Sequence, residues 1–151
     1  MTSVSYILYS EQIMIRFSRR EDYAIILVNT LAQNYKKRLV PLSEIAKEYT
    51  ISHLFLRNLA GELRTAGIIK AVEGKSGGYF LTKAPEKLKM GDILQIFAKN
   101  QLLECCPADT KNHKRVCPKE GSCITGNIWR KLNKEFLDKI YNLSLIEFMK
   151  Y

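Results

Sequence analysis

Between residues 42 and 82 the spacing of apolar and polar positions changes character three times, and the rest of the chain is arranged around that stretch. Leu42, Ile45 and Ala46 share one side of a short helical pattern over 42–49. A three-residue break follows, too short for a strand. Ser52 then offers a hydroxyl that can accept an orphan N–H at a helix start. From there Leu56, Leu59, Ala60 and Leu63 recur at helical spacing as one apolar stripe. Gly67 ends it, since glycine takes the positive φ that commonly follows a helix. Two short helices joined by about three residues make a helix-turn-helix. Ile68, Ile69, Ala71 and Val72 suit a strand, residues 73–78 a glycine-rich turn, and residues 79–82 a returning strand. A hairpin in that place is a wing. The order as a whole predicts a helix set in a DNA major groove, with a basic hairpin tip on phosphate or minor groove.

The flanking patterns complete the architecture. Ser18 and Glu21 have capping-box spacing. They predict a helix over 19–33 with Tyr23, Ile26, Leu27, Thr30 and Leu31 inward. Lys36, Lys37 and Arg38 close it with positive charge, as a solvated helix end or, alternatively, a phosphate clamp. After Pro85, residues 90–98 read as a short helix carrying Ile93, Leu94 and Phe97. Residues 99–122 are polar and aperiodic, a length of loop that in a compact chain usually carries function. Periodicity then returns: Ile124, Ile128, Leu132, Phe136 and Ile140 fall at four-residue steps, predicting a helix over 125–141. Its apolar face exceeds what the chain can cover, so pairing with a second copy through Ile128, Leu132 and Phe136 is expected. Ser144 and Glu147 form another capping box, opening a last short helix through Met149. The expected fold class is mainly α with a small β-hairpin wing, a winged helix-turn-helix plus a long dimerisation helix. The expected divisions are a dispensable extension over 1–13, a DNA-binding unit over 14–84, and a sensor loop with dimerisation helix over 85–151.

Charge narrows the partners. The 151 residues carry a formal net charge of +9, which favours an anionic partner without choosing between nucleic acid and a membrane surface. No apolar run reaches the roughly 18 residues needed to span a bilayer, and residues 1–13 lack the basic start of a signal peptide. A cytoplasmic protein without a membrane partner is expected. No Ser–His–Asp order, phosphate loop or paired catalytic carboxylates point to an enzyme.

The four cysteines are Cys105, Cys106, Cys117 and Cys123. Structural disulfides are rare in the cytoplasm, so thiols gathered in one stretch read as metal or redox ligands. Five residues separate Cys117 from Cys123 and include Pro118 and Gly121, which let the chain wrap an ion or cluster. Soft thiolates suit zinc or iron–sulfur clusters. His113 lies in the same stretch and reads as a bystander.

Several marks together resemble one family: FSRREDYAI opening the first helix, ISHLFLRNLAGELRTAGII across the second motif helix, GKSGGYFL in the wing, and LLEC followed by Cys117, Cys123 and Trp129. From about residue 14 to 149 the chain resembles the bacterial winged-helix regulators that include IscR and NsrR, the Rrf-type family. The resemblance implies a homodimer, crossed by the long helix, on a pseudo-palindromic double-stranded DNA operator. It implies an iron–sulfur cluster, 2Fe–2S or 4Fe–4S, on Cys105, Cys117 and Cys123, with Cys106 an alternative to Cys105. Eleven residues separate Cys105 from Cys117, a longer loop than the family commonly has. The place where IscR-like members carry a histidine ligand is Gly126. NsrR-like members use an aspartate near the start of the first helix, supplied by the partner subunit, and that position matches Asp22. Asp22 also reads as a plain first-turn carboxylate at a helix dipole, with Glu21 and His113 as lesser ligand candidates.

For DNA contact, Leu54, Arg57 and Asn58 lie opposite the apolar stripe of the second motif helix. Ser52 and His53 stand at its N-terminus, where base edges are usually met. Lys75, Ser76, Gly77 and Tyr79 supply the wing. The expected function is a transcriptional regulator whose operator affinity is set by a cluster in the stretch from Cys105 to Cys123. The alternative is a cofactor-free winged-helix regulator controlled by a partner protein or by cysteine oxidation.

Overall fold

The computed structural model describes residues 18–97 and 123–151. The extension over 1–13, Cys105, Cys106, His113 and Cys117 lie outside the described residues.

Helix α1 (Arg19–Gln33) opens as the capping-box spacing requires: the Ser18 N–H donates to Glu21 Oε2 at 2.5 Å. This satisfies an orphan group of the first turn and explains a carboxylate only 6% exposed. The buried face of α1 is Ala24, Leu27, Val28, Thr30 and Leu31. Tyr23 and Ile26, expected inward, are only half-buried, because the small Ala24 and Val28 take the closest approach to the core. The Thr30 hydroxyl donates to the Ile26 carbonyl at 2.9 Å, so its burial leaves no unmet donor.

Helices α2 (Leu42–Glu48) and α3 (His53–Thr65) follow, joined by a turn in which Thr50 takes a positive φ of 54°. The Ser52 hydroxyl accepts the Phe55 N–H at 3.4 Å, as the N-cap reading requires. Gly67 has φ 75°, and the Ile68 N–H reaches back to the Leu63 carbonyl at 2.9 Å, closing α3. Leu56, Leu59, Ala60 and Leu63 are all buried. Each large member of that stripe contributes about 1.5–3 kcal/mol by leaving water.

Strands β1 (Ile69–Val72) and β2 (Gly78–Leu81) pair antiparallel, Ile69 opposite Leu81 and Val72 opposite Gly78. The hairpin gains a third edge from an unexpected quarter. Val40 bridges Tyr79, with N–H to carbonyl distances of 3.1 and 2.8 Å. A Cβ at position 78 would lie 2.9 Å from the Val40 carbonyl carbon, so the approach requires glycine there.

Beyond a short turn of 3-10 helix (Pro85–Lys87), α4 (Met90–Phe97) packs on α1 and on α5 (Ile124–Asn142). The chain ends in α6 (Leu145–Phe148), capped by Ser144 and Glu147. The Met90 N–H donates to the Leu143 carbonyl at 2.9 Å and the Leu145 N–H to the Leu88 carbonyl at 2.8 Å. These two bonds lace the end of α5 to the start of α4. A single core runs through all of this, from Leu27 and Val28 through Leu56 and Leu63 to Ile93, Leu94 and Leu145.

Candidate nucleic-acid interface and cysteine site

Helix α3 buries one face and leaves the opposite one in water. Ser52, His53, Leu54, Arg57 and Asn58 are all exposed, and Leu54 is 66% exposed. No ion pair among the described residues engages the Arg57 guanidinium. The helix is braced from behind, where the Tyr23 and Phe55 rings meet edge to face at 5.7 Å between centroids. Beside its N-terminus a cleft of about 410 Å³ is lined by Arg19, Tyr23, Thr50, Ser52, Leu54 and Asn58. Arg19 and Thr50 are thus neighbours of the exposed face of α3 that the sequence did not single out; helical periodicity carries no record of which loop a first turn will face.

At the wing, Lys75 and Ser76 are exposed at the tip and Gly77 is half-buried, its N–H bonded to the Gly74 carbonyl at 3.0 Å. Tyr79 stands lower on the hairpin, its main chain engaged by Val40 and its ring half-buried against the core. The basic run 36–38 is partly engaged: Lys37 Nζ donates to the Gln33 carbonyl at 3.2 Å, and Arg38 forks onto Glu44 at 2.8 and 2.5 Å. That fork holds the Glu44 carboxyl below the usual carboxylate range.

Cys123 is the N-cap of α5, where its Sγ accepts the Gly126 N–H at 3.2 Å and lies 3.5 Å from Thr125 Oγ1. Cysteine ligates iron as the thiolate. On α5, the residues 124, 128, 132 and 136 form an outward stripe: Ile124 is 78% exposed, Ile128 51%, Leu132 46% and Phe136 38%. The half-buried side carries Trp129, Leu137, Ile140 and Tyr141. Burial pushes the Tyr141 phenol up, and the Glu21 carboxylate adds to it.

Asp22 is exposed in the first turn of α1, on the rim of a cleft of about 320 Å³ lined also by Arg19, Ile25, Met90, Leu94, Ile140 and Phe148. Ile140 lies near the far end of α5 from Cys123. At 1.5 Å per residue, about 25 Å separates them along the helix axis. Within one chain, then, the structure does not bring Asp22 to Cys123. Among the described residues, no three His, Cys, Asp or Glu side chains gather as a metal site, and no helix is long and apolar enough to cross a membrane.

A helix-turn-helix with one face of its second helix exposed and a hairpin wing at its side defines a winged-helix transcriptional regulator. The chain belongs to the Rrf2 family, described as iron-dependent transcriptional regulators, whose model matches residues 17–151; this is a family of regulators and not of enzymes. It is 34% identical over 122 residues to an HTH-type transcriptional regulator assigned in Aquifex aeolicus, covering 81% of this chain and 83% of that one. It is 28% identical to IscR of Vibrio cholerae over 89% of this chain and 75% of that one. Among solved structures it is similar to T. potens IscR, with a TM-score of 0.67 and 26% identity over 89% of this chain and 86% of that chain. It is also similar to the oxidised form of Staphylococcus aureus CymR, with a TM-score of 0.67 and 28% identity over 90% and 97%.

Proposed function

We propose that this regulator is a homodimer whose operator affinity is set by an iron–sulfur cluster held on Cys105, Cys117 and Cys123, with Asp22 of the second subunit completing the site. The observation that carries the reading is the place of Cys123: it caps the helix that bears the bare apolar stripe, and it stands at the opposite end of that helix from Asp22. Two-fold pairing through Ile128, Leu132 and Phe136, with the axis perpendicular to α5, reverses the helix in the second copy. The Cys123 end of one subunit then approaches the Asp22 end of the other. A separation that forbids the contact within a chain thus favours it between chains.

The residues fit such a group. Cys123 sets its sulfur at the start of α5, and Asp22 offers a carboxylate already in water. The cluster would supply redox and ligand-exchange chemistry that thiols and carboxylates lack. Asp22 is hard where the thiolates are soft, so its bond is the labile one. Release of Asp22 would free the first helix of one subunit from α5 of the other. Helix α1 packs directly on α3, so the two reading heads would change their spacing. Ser52, His53, Leu54, Arg57 and Asn58 read bases, while Lys75, Ser76, Gly77 and Tyr79 hold the flanking backbone.

The similarity to oxidised S. aureus CymR, together with a cysteine at the start of the long helix, supports a second reading, in which cysteine oxidation alone sets affinity. Anaerobic purification separates the two. Brown protein with visible absorbance and bound iron and sulfide supports the cluster. Colourless protein that still binds DNA, and loses it on thiol oxidation, supports the alternative.

A further inference from the structure

One side chain touches both the reading helix and the point where the cysteine stretch begins. Arg20, in the first turn of α1, places Nη2 2.5 and 2.7 Å from the two carboxylate oxygens of Glu62 on α3. Its guanidinium carbon also stands 5.8 Å from the centre of the Phe97 ring, within the range of a cation–π contact. Phe97 is the last residue of α4, and the stretch carrying Cys105, Cys106 and Cys117 follows it directly. Glu62 lies one helical repeat beyond Asn58, which in turn lies one beyond Leu54. It therefore belongs to the same ridge of α3 as two exposed reading residues.

As a fold staple this arrangement is weak. The Arg20 and Glu62 side chains are 51% and 38% exposed, and exposed pairs contribute little to stability. As a positioning device it is well made. Both carboxylate oxygens lie on one nitrogen of a guanidinium whose carbon stands over the Phe97 ring, so a single group touches Glu62 and Phe97 together.

The geometry points to Arg20 as a positioning residue that couples the C-terminal end of α4 to the setting of the DNA-reading helix. This rests on the reading of α3 as that helix. A displacement of Phe97 tilts or releases the guanidinium. Glu62 then turns with it or is left as a bare carboxylate on a ridge that meets an anionic duplex. Either change weakens DNA binding without unfolding anything.

The test is a thermodynamic cycle on the full chain, read as affinity for a duplex selected from a random-sequence pool by the wild-type protein. Phe97→Leu keeps an apolar side chain but removes the ring, and Arg20→Gln removes the coupler. Phe97→Leu alone should weaken binding by about two- to thirtyfold, the range in which residues outside a site modulate coupling. In the Arg20→Gln background Phe97→Leu should have no further effect on affinity. Its effect on the thermal midpoint should be similar in the two backgrounds, apart from the small contribution of the exposed cation–π contact itself. An equal loss of affinity in both backgrounds, or none in either, overturns the proposal while leaving the reading of α3 intact. A wild type that recovers no preferred duplex overturns both together.

Discussion

The Cβ that Gly91 lacks would stand 2.9 Å from Tyr141 Cδ1 and 2.9 Å from the Tyr141 carbonyl oxygen. One of those neighbours is backbone, so it cannot swing away. This contact fixes how closely α4 meets α5, and hence where the bare stripe of α5 points. Gly91→Ala should push the helices apart and destabilise the protein by about 1–3 kcal/mol, as overpacking does. Urea unfolding checks the loss; a midpoint equal to that of wild type would show that the contact is slack.

Arg57 and Lys75 should fail differently. If Arg57 reads a guanine edge, Arg57→Ala removes about 1–3 kcal/mol of discrimination and flattens sequence preference. If Lys75, exposed at the wing tip, contacts phosphate, Lys75→Ala should weaken all duplexes alike and lower the salt dependence. A panel of single-base operator variants measures both. Parallel losses across that panel would contradict the division of labour.

Leu132 sits at the middle of the outward stripe, 46% exposed. In a paired α5 it would be covered, and Leu132→Asp would set an unpaired charge in the seam. The variant should sediment as a folded monomer at concentrations where wild type is a dimer. A wild type that is itself monomeric at micromolar concentration would defeat the pairing.

The Ser144 main-chain N–H, 2.8 Å from Glu147 Oε2, and the Ser144 hydroxyl hold the Glu147 carboxyl below its usual value. A depressed folded value means the capping box stabilises α6 above the unfolded pKa, about 4.3, and loses that contribution as pH falls through the lower, folded one. The gap in thermal midpoint between wild type and Glu147→Gln should therefore be full near neutrality and close below about pH 4. A gap independent of pH would assign the effect to something other than this charge.

How far the chain could be read without its structure depended on how local each cause is. Helix α1 begins and ends where Ser18, Glu21 and the 3.6-residue period place it, because caps and periodicity act within one turn. The same holds for α3, from Ser52 to Gly67. The bridge from Val40 to Tyr79 and the pairing of Arg20 with Glu62 left no such trace. Each joins positions about forty residues apart, and nothing in either local pattern names its partner. On the inward face of α1, Leu27, Thr30 and Leu31 are buried as their spacing implies, Tyr23 and Ile26 pack at its margin, and the small Ala24 and Val28 join the centre. Of the candidate site, the bare face of α3 and the stripe of α5 were legible as helical faces. The opposition of Asp22 and Cys123 along α5 was not, since it follows from which end of α5 meets α1.

The central claim is that a cluster on Cys105, Cys117 and Cys123 sets operator affinity. It is tested most directly by measuring that affinity on anaerobically purified protein, with iron and sulfide counted, before and after cluster removal. The same titration is run on Cys123→Ala and Asp22→Ala. Wild type should change affinity on cluster loss. Cys123→Ala should lack visible absorbance and bind as cluster-free wild type does. Asp22→Ala should keep a cluster whose loss no longer alters binding. A wild type that binds its operator equally with and without bound iron and sulfide would contradict the account.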